Sequence, residues 1–110
     1  MAHNTASIPT QDDIIRRGAR HFGMTIAQNN DQILALPLPC KDITIILSST
    51  TNVTVQVTGA PSVVDSNGDE VAGITWATLT AATFMSITTP ITGIKISNTN
   101  AASRTVDILL

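Results

Sequence analysis

The stretch NVTVQVT, residues 52–58, sets Val53, Val55 and Val57 in strict alternation with Thr54, Gln56 and Thr58. A period of two sends successive side chains to opposite faces of an extended strand, whereas a helix would scatter the three valines around its axis. β-branched residues on both faces reinforce the preference, since they pack well on a pleated surface. The same period returns along most of the chain. MTIAQ and QILAL are short strand candidates, the second closed by Pro37 and Pro39, which punctuate a ladder. DITIILS puts Ile43, Ile45 and Leu47 on one face and Ile46 on the other. SVV and EVAGITWATL flank Asp65-Ser66-Asn67-Gly68-Asp69, and Asn-Gly between apolar runs signals a hairpin. TFMSIT, ITGIKIS and RTVDILL complete the set, the last two separated by NTNAAS. About eight short strands at 8–12-residue spacing, with no long helical pattern among them, predict an all-β fold: a compact antiparallel β-sandwich of jelly-roll or immunoglobulin-like type. Its expected core is Ile45, Leu47, Val53, Val55, Val57, Ile74, Trp76, Ile94, Ile96, Val106 and Ile108.

Residues 1–23 follow another rule. Positions 1–10 are polar and aperiodic, as in an extended arm. Thr10 can then cap a short helix with Asp12 and Asp13 in its positive first turn, Arg16 and Arg17 in its last, and Gly18 as the stop. A helix of two turns is not stable alone in water, so Ile14 and Ile15 must pack, either on the chain's own β-domain or on another chain. The expected organisation is an N-terminal arm with a short helix over 1–23 and a β-sandwich domain over 24–110.

Charge and composition limit the chemistry. Charged residues make 13% of the 110-residue chain and the net charge is −2, which offers no electrostatic attraction to nucleic acid or anionic membrane. Cys40 is the single cysteine, so an intrachain disulfide and a cysteine-based metal site are both excluded. The first residues carry no apolar stretch of the kind a signal peptide needs, and no run approaches a membrane span, which suggests a soluble chain made in a cytoplasm. Asp65, Asn67 and Asp69 have the first spacings of a calcium loop, but Glu70 stands where glycine is needed and Trp76 where a bidentate glutamate is needed. His3 and His21 have no ligand partner at useful spacing, and no nucleophile elbow or phosphate-binding glycine motif occurs. The expectation is no enzyme, no cofactor, no metal and no small-molecule substrate. With one Trp, two Phe and no Tyr, platforms for bases or sugar rings are lacking too.

The segment from residue 52 to 110, with its VTVQVTGA strand, the run ITWATLTAATFMSITTPITGIKIS and the terminal TVDILL, resembles small virion proteins of tailed bacteriophages, of the capsid decoration, neck and fibre-base type. The resemblance implies a structural virion protein, foremost a capsid decoration or cement protein made in the host cytoplasm. Neck, tail or fibre-base roles, or a receptor- or glycan-binding fibre module, are the alternatives. It implies assembly as a homo-oligomer, commonly a trimer, against a major capsid or neighbouring virion protein. Leu109, opposite the alternating Val106, Ile108 and Leu110, and Ile46 offer apolar area away from the core. The candidate docking residues are Ile14, Ile15, Arg16, Arg17, Arg20 and Leu109: apolar anchors with arginines reaching carboxylates at the rim.

Overall fold

A computed structural model of the chain describes residues 2–3, 21–100 and 102–109. They form β1 (Ala2–His3), β2 (His21–Ile26), β3 (Asn30–Cys40), β4 (Ile43–Leu47), β5 (Val53–Thr58), β6 (Ala77–Leu79), β7 (Phe84–Ile87), β8 (Ile91–Asn98) and β9 (Arg104–Leu109), and no helix occurs among the described residues. The strands build two sheets, one ordered β1-β3-β8-β5-β6 and the other β2-β9-β4-β7. Every pairing is antiparallel except that of β1, whose Ala2 and His3 run parallel to Asn30 and Asp31. The pairing is nested: β2 lies on β9, β3 on β8, β4 on β7 and β5 on β6. The chain thus folds back on itself as one long hairpin whose arms pass repeatedly between the sheets. Three of the corners it turns have a residue in the left-handed region, Asn29 (φ 56°), Asp42 (φ 59°) and Asn52 (φ 57°), which are the side chains besides glycine that tolerate it best. The radius of gyration is 12.9 Å, near the ~13 Å of a compact domain of this length.

One core lies between the sheets. Ile45, Leu47, Val106 and Ile108 enter it from one side, and Val53, Val55, Ile94 and Ile96 from the other, as their alternation predicts. Val57 is only half-buried and packs at its margin. Ile74 and Trp76 are displaced from the expected core. They sit on the far side of the five-stranded sheet, in a second cluster with Ile33, Ala35 and Val63. The reason is the path of residues 59–76, which double back across the outer face of their own sheet instead of extending it. The hairpin expected around Asn67-Gly68 shrinks to a tight turn with one bridge, Val64 to Glu70. Asp65 Oδ1 accepts from the amides of Asn67 (2.8 Å) and Asp69 (3.0 Å), and Gly68 adopts φ +81°, which glycine permits freely.

The prolines also act differently from expectation. β3 continues through Pro37 and Pro39 to Cys40, but Ala35 faces Gly93 while Cys40 faces Ile91, so β3 advances five residues while β8 advances two. The prolines occupy that irregular stretch, where a regular ladder does not demand their missing amides. The helix expected over 10–18, with Ile14, Ile15, Arg16, Arg17 and Arg20, lies outside the described residues.

Gly93 fixes how closely residues 59–76 approach the sheet. A Cβ there would meet both Val63 Cγ atoms at 3.0 Å and Thr58 Cγ2 at 3.1 Å. Gly93→Ala should push Val63 outward and cost on the order of 1–3 kcal/mol. The measurement is urea unfolding followed by emission of Trp76, the only tryptophan. An unchanged midpoint would show that Val63 yields without cost.

Candidate functional site

From residue 71 to residue 94 the chain has no Asp, Glu, Lys, Arg or His. This uncharged run supplies both β6 and β7, each the terminal strand of its sheet. Sheet edges in natural proteins are usually blunted by lysine, proline or a bulge, because unpaired backbone groups invite another strand. None of the three is present within β6 or β7, and what limits these edges is their length of three and four residues.

β7 is the more exposed chemically. Met85 and Ile87 turn into the core, while Phe84 and Ser86 turn out. Phe84 is 65% exposed, the one large hydrophobic so placed among the described residues. Its row across the outer face of the four-stranded sheet continues through Ile46 and Asp107, and the neighbouring row runs from Ser86 through Thr44 to Leu109. Ile46 and Leu109 are half-buried. Leu109 therefore lies on the face opposite the core, where its alternation with Val106 and Ile108 predicts it. Phe84 was not among the sequence candidates. The exposed half of TFMSIT could have been found from alternation alone, by assigning Met85 and Ile87 inward.

Other groups have structural explanations. Lys95 Nζ lies 2.8 Å from Glu70 Oε1 and 4.6 Å from the centroid of the Trp76 ring, and Trp76 Nε1 donates to Glu70 Oε2 at 3.3 Å. This partly buried set clips residues 70–76 onto β8. A groove of about 510 Å³ runs between residues 58–62 and 71–75, and none of its lining side chains is ionisable, so it offers no acid or base. The Cys40 thiol is buried and donates to the Leu38 carbonyl at 3.3 Å. Among the described residues, no group of His, Cys, Asp or Glu could hold a metal ion. The Asp65 carboxylate is engaged by its own turn.

No protein-family model matches the chain, and no curated protein matches it. Among solved structures it is similar to Aeromonas hydrophila PliG, a periplasmic inhibitor of g-type lysozyme (8% identity, 98% of this chain and 96% of that one, TM-score 0.49). Salmonella Typhimurium PliG, of the same description, gives 12% identity, 96% and 97% coverage and a TM-score of 0.44. A mutant of the Escherichia coli PliG gives 9%, 99% and 98%, and 0.41. A likeness of this depth assigns neither a family nor a partner. It does correct the expectation of a tailed-phage virion component, whether decoration, neck, tail or fibre module: the similar structures are periplasmic inhibitors and not virion proteins. The expected virion localisation falls with it, as does a trimer seated on a capsid protein. The physical reason is that alternating Thr and Val, a buried Val106–Ile108 strand and short turns report one buried face and one exposed face. Many β-proteins of unrelated function share them.

Proposed function

We propose that this chain is a non-catalytic protein-binding domain that meets its partner through the outer face and β7 edge of the four-stranded sheet. The observation that carries this reading is Phe84, 65% exposed on an edge strand that belongs to an uncharged run of the sequence. A lone aromatic next to half-buried Ile46, on the face that also carries Leu109, has the make-up of an interface anchor, since large rings dominate binding energy once desolvated. A sheet face is too flat to enclose a small molecule, and one whose described charge is the carboxylate of Asp107 does not attract phosphate.

The architecture supporting this face reads as a jelly-roll sandwich. The nested pairs β2·β9, β3·β8, β4·β7 and β5·β6, divided between two sheets with a common core, favour that topology over the immunoglobulin-like one. In this reading residues 1–23 are an arm that lends β1 to one sheet and the start of β2 to the other, and 24–110 are the domain. Ile14, Ile15, Arg16, Arg17 and Arg20 stay docking residues on sequence grounds, and Leu109 joins them by its position.

The test places a photo-crosslinking phenylalanine analogue at position 84 and, as a control, at exposed position 54 on the other sheet, in the organism that makes the chain. Crosslinks to one protein from 84 and not from 54 are expected. Phe84→Ala should weaken that complex by about 2 kcal/mol, roughly thirtyfold. The g-type lysozyme named for the similar structures is the first defined protein to titrate. Equal crosslinking from both positions, or none from 84, would sink the reading.

A further inference from the structure

The ladder between β4 and β7 shows which backbone groups of β7 are free. Leu47 N donates to Thr83 O at 2.9 Å, one step beyond the Ile46–Phe84 pair and in the same register. In an antiparallel ladder, pairs that exchange hydrogen bonds alternate with pairs that do not. Counting from Leu47–Thr83, the bonded pairs are therefore Ile45–Met85 and Ile43–Ile87. The amide and carbonyl groups of Phe84 and Ser86 then point away from β4, past the last strand of the sheet. These are also the two residues whose side chains are exposed. Among the described residues no strand pairs with that side of β7.

We propose that the outer edge of β7 takes an extended, uncharged polypeptide segment from the partner protein as an added strand. The backbone donors and acceptors of Phe84 and Ser86 would hold it, and an apolar side chain of the segment would pack beside the Phe84 ring. This rests on the protein-binding reading above and deepens it. Strand addition draws its affinity from main-chain bonds and its selectivity from alternate side chains, which is the combination that β7 presents. The run from 71 to 94 carries no charge, so a charged segment would lose hydration here without gaining a counter-charge from β7 or β6. β6, the corresponding edge of the other sheet, is a weaker candidate: it pairs over only three residues and exposes Ala77 and Thr78.

The probe is a neutral, end-blocked heptapeptide alternating threonine and valine, added to the full chain. Amide hydrogen exchange at Phe84 and Ser86 should slow on adding it, while that of Met85 and Ile87 changes little. Ser86→Pro removes an amide from the free side only and leaves the β4 ladder intact, so it should weaken peptide binding about tenfold, or ~1.4 kcal/mol. Ser86→Ala, which keeps the amide, should bind as the wild type does. No binding at millimolar peptide, protection confined to another strand, or equal affinity of Ser86→Pro would overturn strand addition. A self-associated dimer that Ser86→Pro dissolves would overturn it too, since the occupant would then be a second copy. If Ser86→Pro fails to fold, the exchange measurement on the wild type still decides. Crosslinking from position 84 that persists in a folded Ser86→Pro chain would leave the protein-binding face standing and remove only the added strand.

Discussion

Replacing Asn98 with leucine should lower stability by about 2–4 kcal/mol, although leucine keeps its branching and is more apolar. Asn98 is fully buried at the end of β8. Its Nδ2 donates to the carbonyls of Ile26 (3.0 Å) and Ala102 (2.9 Å), with a longer contact to Ala27 (3.4 Å), and its Oδ1 accepts from the Asn100 amide (2.9 Å). One side chain therefore ties the turn after β2 to the loop between β8 and β9. Leucine would leave those backbone groups without partners, each costing ~1–3 kcal/mol where water cannot replace the bond. For a domain of this size the melting temperature should fall by roughly 10 °C or more. Asn98→Asp keeps the acceptor but turns a carboxylate toward carbonyl oxygens, and should be no better at neutral pH. Asn100→Ala, which loses only the exposed bond from the Ala102 amide, should cost less than about 1 kcal/mol. Thermal melts of the three variants decide, and a wild-type melt for Asn98→Leu would show that the loops close without this tie.

The second large effect is expected at Ile94. It is fully buried in the five-stranded sheet, between Leu34 on β3 and Val57 on β5. Truncation to alanine removes apolar contact and leaves a cavity that rigid strands on both sides cannot close, so Ile94→Ala should cost ~2–5 kcal/mol. Ile46→Ala makes the same chemical change on the outer face of the other sheet and should cost clearly less, since that side chain is already partly exposed. Denaturant midpoints of the two variants measure the difference. Equal losses would mean that the core does not lie between the sheets.

Alternation made much of this legible before any coordinates. Ile45, Leu47, Val53, Val55, Ile94, Ile96, Val106 and Ile108 are core residues because period two leaves a half-buried strand no other choice. Ile74 and Trp76 misled because their alternation is real but local. It packs them against Ile33 and Ala35 on the outside of a sheet, and nothing in a short pattern says which side of a sheet a segment will cover. Asn98 was hidden in the small-residue run NTNAAS, where it looks like any loop asparagine. Its burial depends on β2 arriving from a distant part of the chain. Alternation in TFMSIT could turn Phe84 outward, but it could not reveal the sheet edge on which Phe84 stands. It becomes visible only once β4 is seen to pair on one side of it and nothing described on the other.

The nested pairing has a consequence for how the chain acquires its structure. His21 meets Leu109 and Asn30 meets Asn98, so the outermost strands can pair only after most of the polypeptide has been made. Folds dominated by such distant pairings form slowly, on a scale of ~milliseconds to seconds, because loop closure must precede the contacts that stabilise it. Throughout that interval β4 lacks β9, one of its two partners, and the charge-free strands β6 and β7 stand exposed in an unfinished molecule. The uncharged run proposed above as a binding edge is thus also the part of the nascent chain most open to pairing with a neighbour.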